Sequence, residues 1–333
     1  MTESTSSNKA IGEHPLFLSA LDHASQLAAL PRPVLVLGER GSGKELVAQR
    51  MHFLAPRWGE PFLKINCAAL TESLVESTLF GHEAGAFTGA NRSQSGLFER
   101  AEQGTLFLDE IATLSLRVQE KLLRVLEYGE YQRVGGQKTL ISGARVVGAT
   151  HVDLRTFANE GRFRDDLLDR LAFDVVHMPP LRMRGEDVLL LANHFALGFA
   201  VQLGWEYFHG FSRLARQQLL SYPWPGNVRE LKNVIERSLF RSGQPDAELQ
   251  QMVLNPFDPP WQASSQADAS QFNNDVPASD QPVDFKALRL AWEREQVERA
   301  LSVCQHHQGK AAAWLGLSYD QLRALLKRLE LPK

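Results

Sequence analysis

Cysteine is nearly absent: only Cys67 and Cys304 occur in 333 residues. Two such distant thiols cannot build a disulfide framework or a multi-cysteine zinc site, and their scarcity fits a reducing compartment. Long apolar runs are also missing; Val34-Leu35-Val36-Leu37 is far short of a membrane span. The first eight residues are rich in Ser and Thr, with no apolar stretch after them. No secretory signal is read, and a cytoplasmic location without membrane insertion is expected. There is no excess of positive charge either. The net charge of −3 argues against wholesale coating of nucleic acid, but leaves room for a small local DNA-binding module. What remains, 44% hydrophobic and 23% charged residues, is ordinary for a globular chain, and the length suits two or three domains.

Lys and Arg are missing altogether from Ser242 to Phe285, a stretch with seven Asp/Glu whose later part is rich in Pro, Ser, Gln and Asn. Such a composition buries too little apolar surface to offset chain ordering, so 256–283 reads as a flexible linker. Beyond it, 284–333 carries nine Lys/Arg against six Asp/Glu, a net +3. The remaining 27 Lys/Arg and 33 Asp/Glu leave the rest of the chain at −6. The expected organisation is a disordered N-terminus over 1–8, an α/β subdomain over 9–180, a helical lid over 181–255, the linker, and a small C-terminal domain over 284–333.

In the large part, short apolar or β-branched runs bounded by turn residues predict strands at Val34–Leu37, Phe62–Ile65, Leu106–Leu108, Arg145–Ala149 and Phe173–His177. Helical segments lie between them, as at Val118–Glu127, where Leu122, Leu123 and Leu126 share a face. Five strands with helical crossovers predict a parallel five-stranded sheet covered on both faces. After Pro180 the pattern is wholly helical, over Asp187–Leu203, Ser212–Ser221 and Val228–Arg241.

Directly after the first strand comes Gly38-Glu39-Arg40-Gly41-Ser42-Gly43-Lys44-Glu45, which matches G-x-x-x-x-G-K with Glu45 where Ser or Thr is usual. Glycines let backbone N–H groups turn inward around phosphate oxygens, the following helix N-terminus favours anions, and Lys44 is placed for the β- and γ-phosphates of ATP. The Glu45 carboxylate can ligate Mg²⁺ directly or through water. Leu106-Phe107-Leu108-Asp109-Glu110 reads as an apolar strand ending in two acids, at the end of a parallel strand where ligands bind. Asp109 is expected to hold Mg²⁺, and Glu110 to polarise the attacking water.

Between these motifs stands Gly85-Ala86-Phe87-Thr88-Gly89-Ala90. With it, the phosphate loop, Gly104–Glu110 and Trp224-Pro225-Gly226-Asn227-Val228-Arg229-Glu230-Leu231, the chain resembles the sigma-54-dependent transcriptional activators, or bacterial enhancer-binding proteins, in motif content and order. The resemblance covers roughly 9–241 plus the C-terminal helices, and Glu45 is typical of that family. It implies an AAA+ ATPase that assembles as a homo-hexamer with nucleotide at subunit interfaces. It also implies that Asn66 is a switch residue contacting Glu110, and that Arg164 and Arg170 act in trans on the neighbouring subunit's nucleotide. Thr150 resembles the first sensor, Arg229 the lid sensor, and Ile11-Gly12 the strip against the adenine. Residues 85–90 resemble the loop that contacts sigma-54 and couples ATP turnover to remodelling of the closed promoter complex of RNA polymerase. On composition alone that loop forms no stable buried element and leaves Phe87 exposed at its tip. One departure is His151, where Asn is usual in the family.

The C-terminal part reads as helices over Asp284–Cys304, with Phe285, Leu288 and Trp292 on one stripe, over Gln308–Leu315, and over Tyr319–Leu329 after a Gly316-Leu317-Ser318 turn. In the last, Leu322, Leu325, Leu326 and Leu329 follow helical spacing. Tyr319, Asp320, Gln321, Arg323 and Lys327 are the candidate DNA-reading residues of a helix-turn-helix, and the family's Fis-type tails imply that its target is enhancer DNA. The compact layout is most similar to the phage-shock class of the family, which implies negative control by phage shock protein A, with Trp58 a candidate docking residue. Two other classes fit parts of the pattern: an AAA+ unfoldase gripping substrate through Phe87, and a DNA-binding repressor on an inactive ATPase scaffold. Lys44, Asp109, Glu110, Arg164 and Arg170 argue against the second.

Overall fold

The computed structural model describes residues 10–257, 285–304 and 307–329. Residues 1–8 and all of the expected linker except Pro256 and Phe257 lie outside that set. The chain divides into two compact units, 1–257 and 258–333.

The first unit is built on five parallel strands, β1 (Val34–Leu37), β2 (Phe62–Asn66), β5 (Thr105–Asp109), β8 (Arg145–Thr150) and β9 (Val175–His177), in the spatial order β2-β5-β8-β1-β9. Residues 34–36 of β1 and all of β8 are buried, as strands in a doubly covered parallel sheet are. One face carries α1 (Pro15–Ala28) and α2 (Lys44–Phe53), packed through Phe17, Leu21, Val47 and Met51 onto Val34, Val36 and Val147. The other carries α3 (Glu72–Phe80), α5 (Leu116–Tyr128) and α7 (Asp165–Leu171), with Leu79, Phe80, Leu122 and Leu167 over Leu35, Leu106 and Leu108. Helix α5 starts under a Ser115 cap and ends at Gly129 in the left-handed region.

All five expected strands are present, within two residues at each end. Two small antiparallel sheets and α1 were not anticipated. Gly81–His82 (β3) pairs with Gln94–Ser95 (β4), and Glu130–Gln132 (β6) with Thr139–Ile141 (β7).

After β9 the chain forms α8 (Asp187–Gln202), α9 (Arg213–Ser221) and α10 (Asn227–Ser242). Their core is Leu191, Ala196, Leu219, Leu231, Ile235 and the fully buried Trp224, whose indole N–H donates to the Leu219 carbonyl at 2.8 Å.

The second unit contains α11 (Phe285–Val303), α12 (Gln308–Trp314) and α13 (Tyr319–Arg328) around Val297, Ala300, Leu301, Ala311, Leu322 and Leu326. Helix α12 ends in a Schellman arrangement: Leu317 N–H donates to Ala312 O, Gly316 N–H to Ala313 O, and Gly316 has φ +67°. The side chains of Phe285 and Leu288 lie outside the described set; Trp292 is exposed. No helix among the described residues is long and apolar enough to cross a membrane.

Candidate functional site

The turn from β1 into α2 places Gly38–Lys44 at the C-terminal edge of the sheet. Lys44 is buried, and its ammonium donates to backbone carbonyls of its own loop, Gly38 at 2.9 Å and Glu39 at 3.2 Å. Burial lowers its pKa, opposed by the charges of Glu110 and Asp109. The Ser42 hydroxyl oxygen is buried without a hydrogen-bond partner. An orphaned hydroxyl, a buried cation and a helix N-terminus in one loop fit a phosphate chain.

Asp109 ends β5 and Glu110 follows with φ +53°. Burial raises the pKa of Asp109, and Lys44 acts against that rise. The Glu110 carboxylate meets His151 Nδ1 at 2.7 Å and Arg40 Nε at 3.7 Å. Thr150, fully buried at the end of β8, offers its carbonyl to Gly38 N–H.

Two expected contacts differ. Asn66 lies opposite Asp109 in the strand register, but its side-chain oxygen caps the Cys67–Ala69 turn by accepting Ala68 N–H at 2.9 Å. The described hydrogen bond to the Glu110 carboxylate comes from His151 rather than Asn66. Glu45 Oε1 accepts from Lys64 at 2.8 Å and Gln49 at 3.1 Å, so its carboxylate is held by neighbours on α2 and β2, and Glu110 and Asp109 are the acids that share the Lys44 environment. No group of three or more His, Cys, Asp or Glu side chains gathers among the described residues. A Mg²⁺ site built on Asp109 would be of the kind that uses one or two carboxylates plus phosphate oxygens.

The helical subdomain closes on this loop. Asn227, buried with φ +54°, donates to Glu39 Oε2 at 3.0 Å and to the Arg40 carbonyl at 3.1 Å, and accepts from Leu181 N–H at 2.8 Å. Arg182 donates to both Glu39 oxygens at 2.6 and 2.8 Å. Arg182 first and Asn227 second hold the Glu39 pKa down at about 2. Arg229, in the first turn of α10, is close enough to act on the Lys44 and Asp109 charges. A cavity of about 510 Å³ beside the loop is lined by Ile11, Ser42, Gly43, Phe195, Phe199 and Val228, among others. The segment Ile11–His14, whose Ile11 lines this cavity, is tied down by the buried Arg184–Asp187 pair: Arg184 donates to Ile11 O, and Asp187 accepts Glu13 and His14 N–H. Asn227, Arg182, Arg184 and Asp187 were not singled out from sequence, because each acts through partners far away in the chain.

Arg164 and Arg170 sit at the two ends of α7 and are paired within the subunit. Arg164 forks onto Asp166 at 3.0 and 2.7 Å, and Arg170 bonds Glu127 at 2.9 Å.

The 85–90 segment is more ordered than expected. Gly85 N–H donates to Ala90 O at 2.8 Å and Ala90 N–H to Phe87 O at 3.0 Å, with Gly85 and Gly89 in left-handed conformations. Ala90 is buried, and Thr88 is exposed. Phe87 remains 38% exposed, yet its ring meets the buried His82 ring edge-on at 5.0 Å. The β6–β7 loop backs the segment: a Cβ on Gly135 would lie 2.8 Å from that of Ala86. Arg133 bonds both oxygens of Glu99 and also Glu83.

In the second unit Tyr319, Asp320, Gln321, Arg323 and Lys327 are all exposed on α13. Gln321 is also a capping residue: its Oε1 accepts Ser318 N–H at 2.8 Å while its own N–H bonds Ser318 Oγ.

Residues 10–177 match the model of the sigma-54 interaction domain, and 182–259 that of the AAA+ ATPase lid domain. The chain is 50% identical over 320 residues to the Psp operon transcriptional activator of Escherichia coli K12, covering 96% of this chain and 97% of that protein. It belongs to the sigma-54-dependent transcriptional activators. As a member of that family it is an AAA+ ATPase that activates transcription with sigma-54 RNA polymerase as its partner. Other activators in this family are similar over longer proteins. The nitric oxide reductase regulator NorR of Citrobacter koseri is 42% identical across 99% of this chain and 64% of its own length. Crystal structures of NtrX from Brucella abortus, including its ADP and ATP complexes, match with TM-score 0.69 and 28% identity. They cover 96 to 97% of this chain and 69 to 70% of theirs.

Proposed function

We propose that this activator binds enhancer DNA through α13, hydrolyses ATP as a homo-hexamer, and uses the 85–90 loop to remodel the sigma-54 closed promoter complex into an open one. Its target is proposed to be a phage shock operon, in the cytoplasm. The observation that carries the reading is the pairing of two features in one unit. One is a phosphate loop latched to its lid. The other is a braced loop with an apolar tip and no group suited to ATP chemistry.

In this mechanism the backbone N–H groups of Gly38–Lys44, with Ser42 and Lys44, bind the phosphates of ATP, and Ile11 and Gly12 face the base. Asp109 would hold Mg²⁺, with Glu45 available once it leaves Lys64 and Gln49; the ion would neutralise phosphate charge. Glu110 accepts the proton of the attacking water. Thr150, Asn66 and Arg229 sense the phosphate, and Arg164 and Arg170 leave Asp166 and Glu127 to reach the next subunit's nucleotide. Phe87 and Thr88 are the residues offered to sigma-54 as the nucleotide state changes. Trp58, 67% exposed beside a cavity of about 590 Å³, is the proposed anchor for phage shock protein A as negative regulator.

The test is open-complex formation with purified sigma-54 polymerase on a phage-shock promoter. Wild type should support it with ATP. Lys44→Ala should lose nucleotide binding, and Glu110→Gln should bind ATP without turnover. Activation by the Glu110→Gln protein at the wild-type rate overturns the mechanism.

A further inference from the structure

We infer that His151 is the positioning residue for Glu110, resting on the reading that Glu110 receives the proton of the attacking water. Glu110 and His151 each stand one residue beyond the C-terminal end of neighbouring strands, β5 and β8, which pair Leu108 with Gly148. The Glu110 backbone is fixed on both sides. Its N–H donates to Asp109 Oδ1 at 3.0 Å, and its carbonyl accepts both the N–H and the hydroxyl of Thr113. Its left-handed φ of +53° is a conformation that non-glycine residues hold only when their surroundings impose it. The side chain nonetheless keeps three rotatable bonds, so a fixed backbone does not by itself aim the carboxylate.

The 2.7 Å contact from His151 Nδ1 to Glu110 Oε2 supplies that aim. The base role requires an ionised carboxylate, which only accepts, and in that role His151 Nδ1 is the donor. One carboxylate oxygen is thereby held, while Oε1 stays on the side of Arg40 and the phosphate loop, 3.7 Å from Arg40 Nε. A base whose orientation is fixed by a third group is the arrangement that efficient proton abstraction requires. The donor sits on an atom bonded directly to Cγ. Asparagine can present its Nδ2 hydrogens from the same place, whereas glutamine carries its amide one bond further out.

The test is steady-state ATPase kinetics on the full chain, with thermal unfolding as a control. His151→Ala should lower kcat about tenfold, as mispositioning of a reacting group does, with KM for ATP changed less than about twofold. His151→Asn should restore most of the turnover and His151→Gln should not. Should the Ala variant fail to fold, the Asn and Gln pair decides. Equal turnover in those two, or wild-type kcat in His151→Ala while Glu110→Gln is inactive, overturns the role of His151 alone. Turnover retained by Glu110→Gln overturns the reading of Glu110 itself, and this inference with it.

Discussion

Gly41 and Gly226 approach so closely that a Cβ added to Gly41 would lie 2.4 Å from the Gly226 carbonyl oxygen. Gly41 also has φ +75° and accepts Val228 N–H at 3.1 Å. The loop proposed to bind phosphate and the start of α10 are thus in backbone contact. Gly41→Ala forces the two apart. It should weaken binding of a fluorescent ATP analogue at least tenfold while leaving the far-ultraviolet circular dichroism unchanged. Wild-type affinity would mean that the contact does not set the loop.

The Glu39 latch predicts a pH dependence. Its folded-state pKa of about 2 lies below the ordinary value of 4.5 because Arg182 and Asn227 favour the ionised form. A depressed carboxylate pKa stabilises the fold above the unfolded value, and that contribution is lost as pH falls through the folded one. The window is therefore pH 4.5 down to about 2. Because Glu39 and Arg182 are both well exposed, salt screens the effect. Denaturant titrations across this window should show a steeper acid loss for wild type than for Glu39→Gln. Identical slopes would show that the pair contributes nothing to acid stability.

The sheet and lid were legible in the sequence because their signals are local. Residues 34–36 and 146–149 are buried and read as short runs without a charged residue, and helices such as Leu116–Tyr128 announce themselves by a single leucine face. The two-residue strands at Gly81 and Gln94 carry no such periodicity, and only their pairing reveals them. The nucleotide cleft was legible as motifs and not as geometry. His151 reaches Glu110 across 41 positions, and Asn227 reaches Glu39 across 188; neither spacing leaves a pattern in the chain. Gln321 shows a different omission. Its place on an exposed helix face suggested DNA, and its capping bonds with Ser318 went unread.

That double place of Gln321 separates folding from recognition in α13. Gln321→Ala removes one arm of the capping box and should destabilise the second unit by about 1 kcal/mol. Arg323→Ala touches no capping contact. It should leave the unfolding transition unchanged and weaken binding to the enhancer by about 1–3 kcal/mol if the guanidinium reads a base. Footprinting and calorimetry on the full chain measure the two effects. Undiminished enhancer binding by Arg323→Ala would remove this face from the DNA interface.

The most direct test of the account is open-complex formation at a sigma-54 promoter by the Phe87→Ala protein, with ATPase activity measured in the same preparation. Phe87 touches His82 and no residue of the phosphate loop among its described contacts, so turnover and enhancer binding should stay within about twofold of wild type. The loss of its aromatic surface should abolish stable engagement of sigma-54, leaving no open complex and no species trapped with ADP and aluminium fluoride. Full open-complex formation by Phe87→Ala, at wild-type rates of ATP hydrolysis, would contradict the claim that this loop converts nucleotide turnover into promoter opening.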